Sequence, residues 1–266
     1  MSQNEAIPLH TLQPLTRFSN RADAYAKYRP SYPEAAIATI LAELGAPHRL
    51  IAADIGAGTG ISSRLLADQG VQVWAVEPNQ AMQQAATPHP QVTFQTATAE
   101  ETGLPDRSMD LVTCFQAFHW FDADRSLPEF HRLLKPGGRL ALVWNNRDRD
   151  DGFTASYSQL IQAASGHHPA EQLRDLTQTC DQLTHSPLFT QVRQTTCHHQ
   201  QAVDWTGLLG RAQSTSYLPH EGTAYDQLVA DLRQLYQHWA DADGLVYLSY
   251  STDIFLAETV MLSDRL

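Results

Sequence analysis

The chain has 266 residues, of which 42% are hydrophobic, and a formal charge of −11. That size and apolar content suit one large α/β domain with a packed core, and no run of roughly 18 apolar residues reads as a membrane span. The acidic charge disfavours nucleic acid or an anionic membrane as partner, since either calls for a basic face, and favours a small molecule.

The start, MSQNEAIPLHTLQPLTR, lacks an apolar segment behind a basic one, so no signal peptide is expected and the cytoplasm is the default compartment. Residues 1–48 read as an N-terminal cap. Within it, FSNRADAYAKYRPSYPEAAIATILAEL is rich in Tyr and Arg and then becomes an amphipathic helix after Pro33. Residues 49–146 alternate short apolar runs with helical patterns. A strand over Leu50–Ile55 leads through glycines into a helix over Ile61–Gln69, which Gly70 ends. A strand over Val71–Val76 follows, then a helix over Asn79–Ala86 with Asn79 as N-cap and Gln83 in its first turns. Next come QVTFQTAT, MDLVTCFQAF, a helix ended by Pro136-Gly137-Gly138, and the strand RLALVWN. Continuous apolar strands between helices predict a doubly wound, mostly parallel sheet covered on both faces.

Beyond Asn146 the pattern changes. GFTASYSQLIQAA and AEQLRDLTQTCDQL read as helices, and FTQVRQTTCHHQ as a strand. WTGLLGRAQSTSY and YDQLVADLRQLYQHWA form a helical insertion at about 204–240, and LVYLSYSTDIFLAETV supplies closing strands at about 245–261. No linker interrupts this course, so residues 1–266 are expected to form one domain. Cys114, Cys180 and Cys197 are too sparse for a disulfide framework. The histidine pairs His167–His168 and His198–His199 lack ligand spacing, so no metal is expected.

The stretch AADIGAGTGISSRLL, Ala52–Leu66, carries the main functional signal. A strand that meets glycines and then a helix aims backbone N–H groups and a positive helix end at a ligand. The nicotinamide fingerprint G-x-G-x-x-G/A fails at Ile61, because the third glycine stands at Gly60. Glu77, at the end of the second strand, can accept hydroxyls of a ligand, which the resemblance below implies to be those of a ribose, or serve only as a helix N-terminal acid. Asp54 can orient the loop through backbone N–H groups or approach a ligand directly.

ADIGAGTG resembles motif I of class I S-adenosylmethionine-dependent methyltransferases, and VWAVEPNQAM, TATAE, MDLVTCFQAFHWFD and LLKPGGRLALVW are similar to the segments that follow it there. The resemblance covers roughly Leu50–Trp144. YAKYRPSYP, AFHWFD and more loosely SYSTDIFLAE resemble a small-molecule subgroup that includes trans-aconitate-methyltransferase-like proteins. It implies a Rossmann-like, seven-stranded fold and methyl transfer from S-adenosylmethionine to a small organic acceptor, by leaning a carboxylate or hydroxyl oxygen. It implies cofactor contacts from Asp54, Gly56, Ala57, Gly58, Gly60, Glu77, Pro78, Met82, Ala99, Glu100 and Gln116. Arg29 is the candidate partner for the cofactor carboxylate, or forms a surface salt bridge. His119 is the candidate general base, with an ordinary pKa near ~6.5, or else a pocket-shaping histidine. Trp120, Asn145 and Tyr217 are candidate acceptor contacts, and Arg211 either binds a substrate carboxylate or, as the plainer reading, is a helix-surface arginine. The competing readings are a non-catalytic S-adenosylmethionine-binding protein and a nicotinamide-dependent oxidoreductase.

Overall fold

The structure is a computed structural model that describes residues 22–166, 181–215 and 217–259. Ser216, the pair His167–His168, Cys180, most of the helix expected over 170–183 and the last residues of the closing segment lie outside them. In chain order the elements are α1 (Ala22–Tyr28), α2 (Glu34–Leu41), β1 (Ile51–Ile55), α3 (Ile61–Asp68), β2 (Gln72–Val76), α4 (Gln80–Gln84) and β3 (Val92–Gln95). Then follow β4 (Met109–Phe115), α5 (Ala123–Leu133), β5 (Leu134–Arg147), α6 (Gly152–Ala164), β6 (Phe189–Val203), α7 (Trp205–Gln213), α8 (Thr223–Trp239) and β7 (Val246–Thr259).

The seven strands form one sheet in the order β3-β2-β1-β4-β5-β7-β6. β1 to β5 run parallel, and β7 lies antiparallel between β5 and β6. Alternate residues of each strand feed opposite cores. Ala53, Ile55, Val112, Leu140 and Leu142 pack with Phe118, Leu127 and Phe130 on one face. Ala52, Leu111, Ala141 and Val143 pack with Ile37, Ile40 and Leu66 on the other. A third cluster joins Tyr157 and Ile161 of α6, Leu208 and Ala212 of α7 and Leu232 of α8 to Leu248 and Tyr250 of β7. It roofs one end of the sheet.

Two expectations are corrected. The closing segment is one long strand, because β7 pairs along its length with both β5 and β6. The helix α5 ends at Leu133, before Pro136-Gly137-Gly138. That triplet lies instead in a register shift, where β4 pairs through Met109 with Leu134 and then through Leu111 with Arg139.

Strand order locates the site. From β1 the chain winds outward to β2 and β3, then returns to β4 on the other side of β1. The crevice beyond the C-terminal ends of β1 and β4 is therefore the switch point where such sheets take ligands.

Candidate functional site

The glycine loop leaves β1 at this crevice. Gly56 and Gly58 have φ of +71° and +58°, the left-handed region that favours glycine. A β-carbon on Gly56 would lie 2.6 Å from Ala117 Cβ, while one on Gly58 would lie 3.2 Å from Met82 Cε and 4.0 Å from Tyr25 Cε1. The loop is thus pressed between the segment after β4, the helix α4 and the cap helix α1. Its N–H groups do not all point at a ligand, as the sequence suggested. Gly56 and Ala57 donate to Val76 O, Gly58 to Glu77 Oε2 and Gly60 to Ala57 O. The first three fasten the loop to the end of β2, and Gly60 closes a turn within the loop and then caps α3.

Asp54 is fully buried, and its carboxylate accepts from Ser62 and Ser63 Oγ, each at 2.6 Å, and from Thr113 Oγ1 at 2.9 Å. It locks β1, α3 and β4 together through hydroxyls rather than backbone N–H groups. Burial raises its pKa, and the three hydroxyls pull the other way. Glu77, 8% exposed, accepts from Gly58 N–H and from Asn79 N–H, one on each oxygen and each at 2.9 Å. Burial raises its pKa too, the two backbone donors oppose this, and the charge of Asp54 adds to the rise. Among the described residues neither acid has a cationic side-chain partner.

Around this pair, Met82 and Ala99 are buried and Pro78 half-buried. Asn79 caps α4 as expected, accepting from Ala81 and Met82 N–H. Glu100 accepts from Asp122 N–H at 3.2 Å and so ties its segment to the start of α5. Gln116 sits just past β4 with φ of +56°, an uncommon value for a residue with a side chain, and donates through Nε2 to Asn145 O at 2.7 Å. The amide of Asn145 is engaged internally, donating to Ser31 O at 2.9 Å and accepting from Thr252 Oγ1. These bonds tie the cap and β7 to the end of β5.

His119 lies in a short turn after β4, with Trp120 beside it at 5.2 Å between ring centres. Trp144 Nε1–H donates to His119 Nδ1 at 3.2 Å. A neutral ring that accepts at Nδ1 carries its proton on Nε2, so the free nitrogen is a donor. Burial lowers the pKa from 6.5 to about 4. In this arrangement the ring is a neutral hydrogen-bond donor, which agrees with the pocket-shaping alternative for His119. The sign is clear: between pH 6.5 and 4 the unfolded chain binds a proton that the folded one refuses. Stability present above pH 6.5 is lost as pH falls through that window, by an amount on the order of 3 kcal/mol. His119→Gln is expected to flatten that part of the stability curve in denaturant titrations; an identical acid slope in the variant contradicts this.

The cap supplies Arg29. Its guanidinium lies 4.7 Å from the centre of the Tyr25 ring, the ring that covers Gly58, and donates through Nη2 to Ser214 O at 3.1 Å. Arg211 reaches the same residue, with Nη1 at 3.5 Å from Ser214 Oγ. Tyr217 stands near both guanidiniums. The surface position expected for Arg211 is overturned, because it is only 7% exposed. Sequence reasoning also missed Tyr157 and Tyr250. Both come from elements far along the chain, and no local pattern marks them.

A doubly wound sheet with a glycine loop and an acid at the end of the adjacent strand defines the class of nucleoside-binding α/β enzymes. The cradle fits S-adenosylmethionine. Each Glu77 oxygen keeps a second lone pair for a ribose hydroxyl, and the buried Thr59 hydroxyl in the loop has no partner.

A family profile described as a methyltransferase domain matches residues 53–142. An uncharacterized methyltransferase of Mycobacterium tuberculosis is 38% identical over 193 residues, 72% of this chain and 71% of that protein. A solved structure of a candidate type II methyltransferase from Anaeromyxobacter dehalogenans has 26% identity and a TM-score of 0.66, covering 88% of this chain and 99% of that one. Phosphoethanolamine N-methyltransferase 2 of Haemonchus contortus, solved with S-adenosyl-L-methionine, shares the fold at 19% identity and a TM-score of 0.55, over 98% of this chain and 62% of that one. The chain belongs to the S-adenosylmethionine-dependent methyltransferase family, and a nicotinamide-dependent oxidoreductase is set aside.

Proposed function

We propose that the protein methylates a small organic acceptor at a carboxylate or hydroxyl oxygen. The observation that carries the reading is the pair of buried carboxylates, Asp54 and Glu77, at the switch point without a cationic side-chain partner. Bound S-adenosylmethionine supplies an electrophilic methyl group on a sulfonium, open to in-line displacement. Glu77 holds the sugar hydroxyls, and Asp54 keeps the loop in place and its charge opposes the sulfonium. Met82, Ala99 and Glu100 border the base, Gln116 borders the methionine end, and Arg29 pairs with its carboxylate. His119 donates from Nε2 toward the acceptor and orients it, with Trp120 as a wall. An anionic oxygen needs no base, which agrees with a histidine that stays neutral and donates.

The subgroup suggested by YAKYRPSYP and AFHWFD is part of this proposal, as are a single domain over 1–266, a cytoplasmic setting and the absence of a nucleic-acid partner. No described helix is long and apolar enough to cross a membrane. Calorimetry with S-adenosylhomocysteine tests the reading. Glu77→Ala is expected to weaken binding by about 1–3 kcal/mol, since it removes the sugar's acceptor and orphans two buried N–H groups. Unchanged affinity would remove Glu77 from the cofactor site.

A further inference from the structure

Two arginines, Arg211 buried and Arg29 half-buried, meet beneath the roof with no acid among the described residues. Arg29 Nη2 and Arg211 Nη1 both reach Ser214, and the proximity of Arg211 is one cause of the lowered pKa of Arg29, second to burial. Among the described residues neither forms an ion pair, although the chain holds 29 acidic residues against 18 Lys and Arg. Arg211 has only long contacts, Nε to Tyr250 Oη at 3.3 Å and Nη1 to Ser214 Oγ at 3.5 Å. Most of its five donors are left over. Arg29 Nε is buried with no partner, and so is the hydroxyl of Tyr157, a side chain with no exposure at all. A third cation, Arg147, lies 5.4 Å from the centre of the Tyr157 ring.

Buried guanidiniums without counter-charge are costly unless an anion completes them. Burial opposes the charge on Arg211, its bond to the Tyr250 hydroxyl supports it, and a guanidinium stays protonated at neutral pH. The two arginines approach from different sides. Arg29 follows α1 and packs on the tyrosine over the glycine loop, whereas Arg211 belongs to α7 and bonds to β7.

We propose that Arg211, with the Tyr157 hydroxyl, anchors a carboxylate of the methyl acceptor, while Arg29 faces the cofactor's own carboxylate. The acceptor is thus a carboxylic acid. This deepens the proposed function and rests on it. Arg211 is a binding residue here, and it takes no part in the bond-making step.

Titration calorimetry on the full-length protein separates the two sources of carboxylate. S-Adenosylhomocysteine is titrated first. Phenylacetate and succinate, each beside its neutral amide, are then titrated into the protein saturated with it. At least one acid is expected to bind about tenfold or more tighter than its amide, the range for a charge-assisted pair. Arg211→Gln should erase that preference and leave S-adenosylhomocysteine affinity within about threefold. Tyr157→Phe, which keeps the ring and removes only the unpartnered hydroxyl, should weaken the acid alone, so the answer survives if Arg211→Gln fails to fold. The proposal is overturned if neither acid binds, if both variants keep the preference, or if the loss in Arg211→Gln falls on S-adenosylhomocysteine. Failure of wild-type protein to bind S-adenosylhomocysteine overturns the cofactor reading, and this inference with it.

Discussion

Valine at position 58 is expected to lower S-adenosylhomocysteine affinity by about 100-fold or more while the protein stays folded, a loss of roughly 2.7 kcal/mol. Gly58 holds φ at +58°, where a β-branched residue is strained by about 1–3 kcal/mol. Relaxing that strain draws its N–H away from Glu77 Oε2, now 2.9 Å off, and disturbs the carboxylate beside it. The valine side chain also enters the space between Met82 Cε and Tyr25. Met82 ends in a flexible methyl and can yield, so the fold survives. The same change at Gly56 would meet Ala117 Cβ at 2.6 Å, and there the fold itself should suffer. Calorimetry with circular dichroism on the Gly58 variant checks the claim; wild-type affinity refutes the placement of the loop.

The second large effect concerns the joint between cap and roof. A β-carbon on Gly210 of α7 would stand 2.6 Å from Tyr28 Cγ and nearer still to two other ring atoms. Tyr28 closes α1, its carbonyl is held by Gln201 Nε2 at 3.2 Å, and Arg29 follows directly. A valine at 210 cannot be absorbed by the end of a mobile side chain, because the obstacle is a ring close to the backbone. It should lift α1 from α7, at a cost of about 1–3 kcal/mol for overpacking. Arg29 then loses Ser214 and the loop loses its cover. Hydrogen exchange in α1 should speed up, and S-adenosylhomocysteine should bind about tenfold more weakly. Unchanged exchange in α1 contradicts the joint.

The parallel half of the sheet was legible because its strands are buried on both faces and read as unbroken apolar runs. The acids Asp54 and Glu77 were legible from their places at strand ends. What they bond to was not. Val76 O takes two loop N–H groups and Ser62, Ser63 and Thr113 surround Asp54 only once the strands are in register. His119 was found by position, but its chemistry depends on Trp144, which a separate strand brings to its ring. Arg211 was read chiefly as surface because its own helix says nothing of Tyr250, whose hydroxyl accepts from its Nε across from β7.

The most direct test is a calorimetric titration of folded wild-type protein with S-adenosylhomocysteine, followed by the same titration of Glu77→Ala. One saturable site per chain is predicted, markedly weakened in the variant. A flat trace with the wild-type protein would contradict the whole arrangement of loop, acids and cap described above.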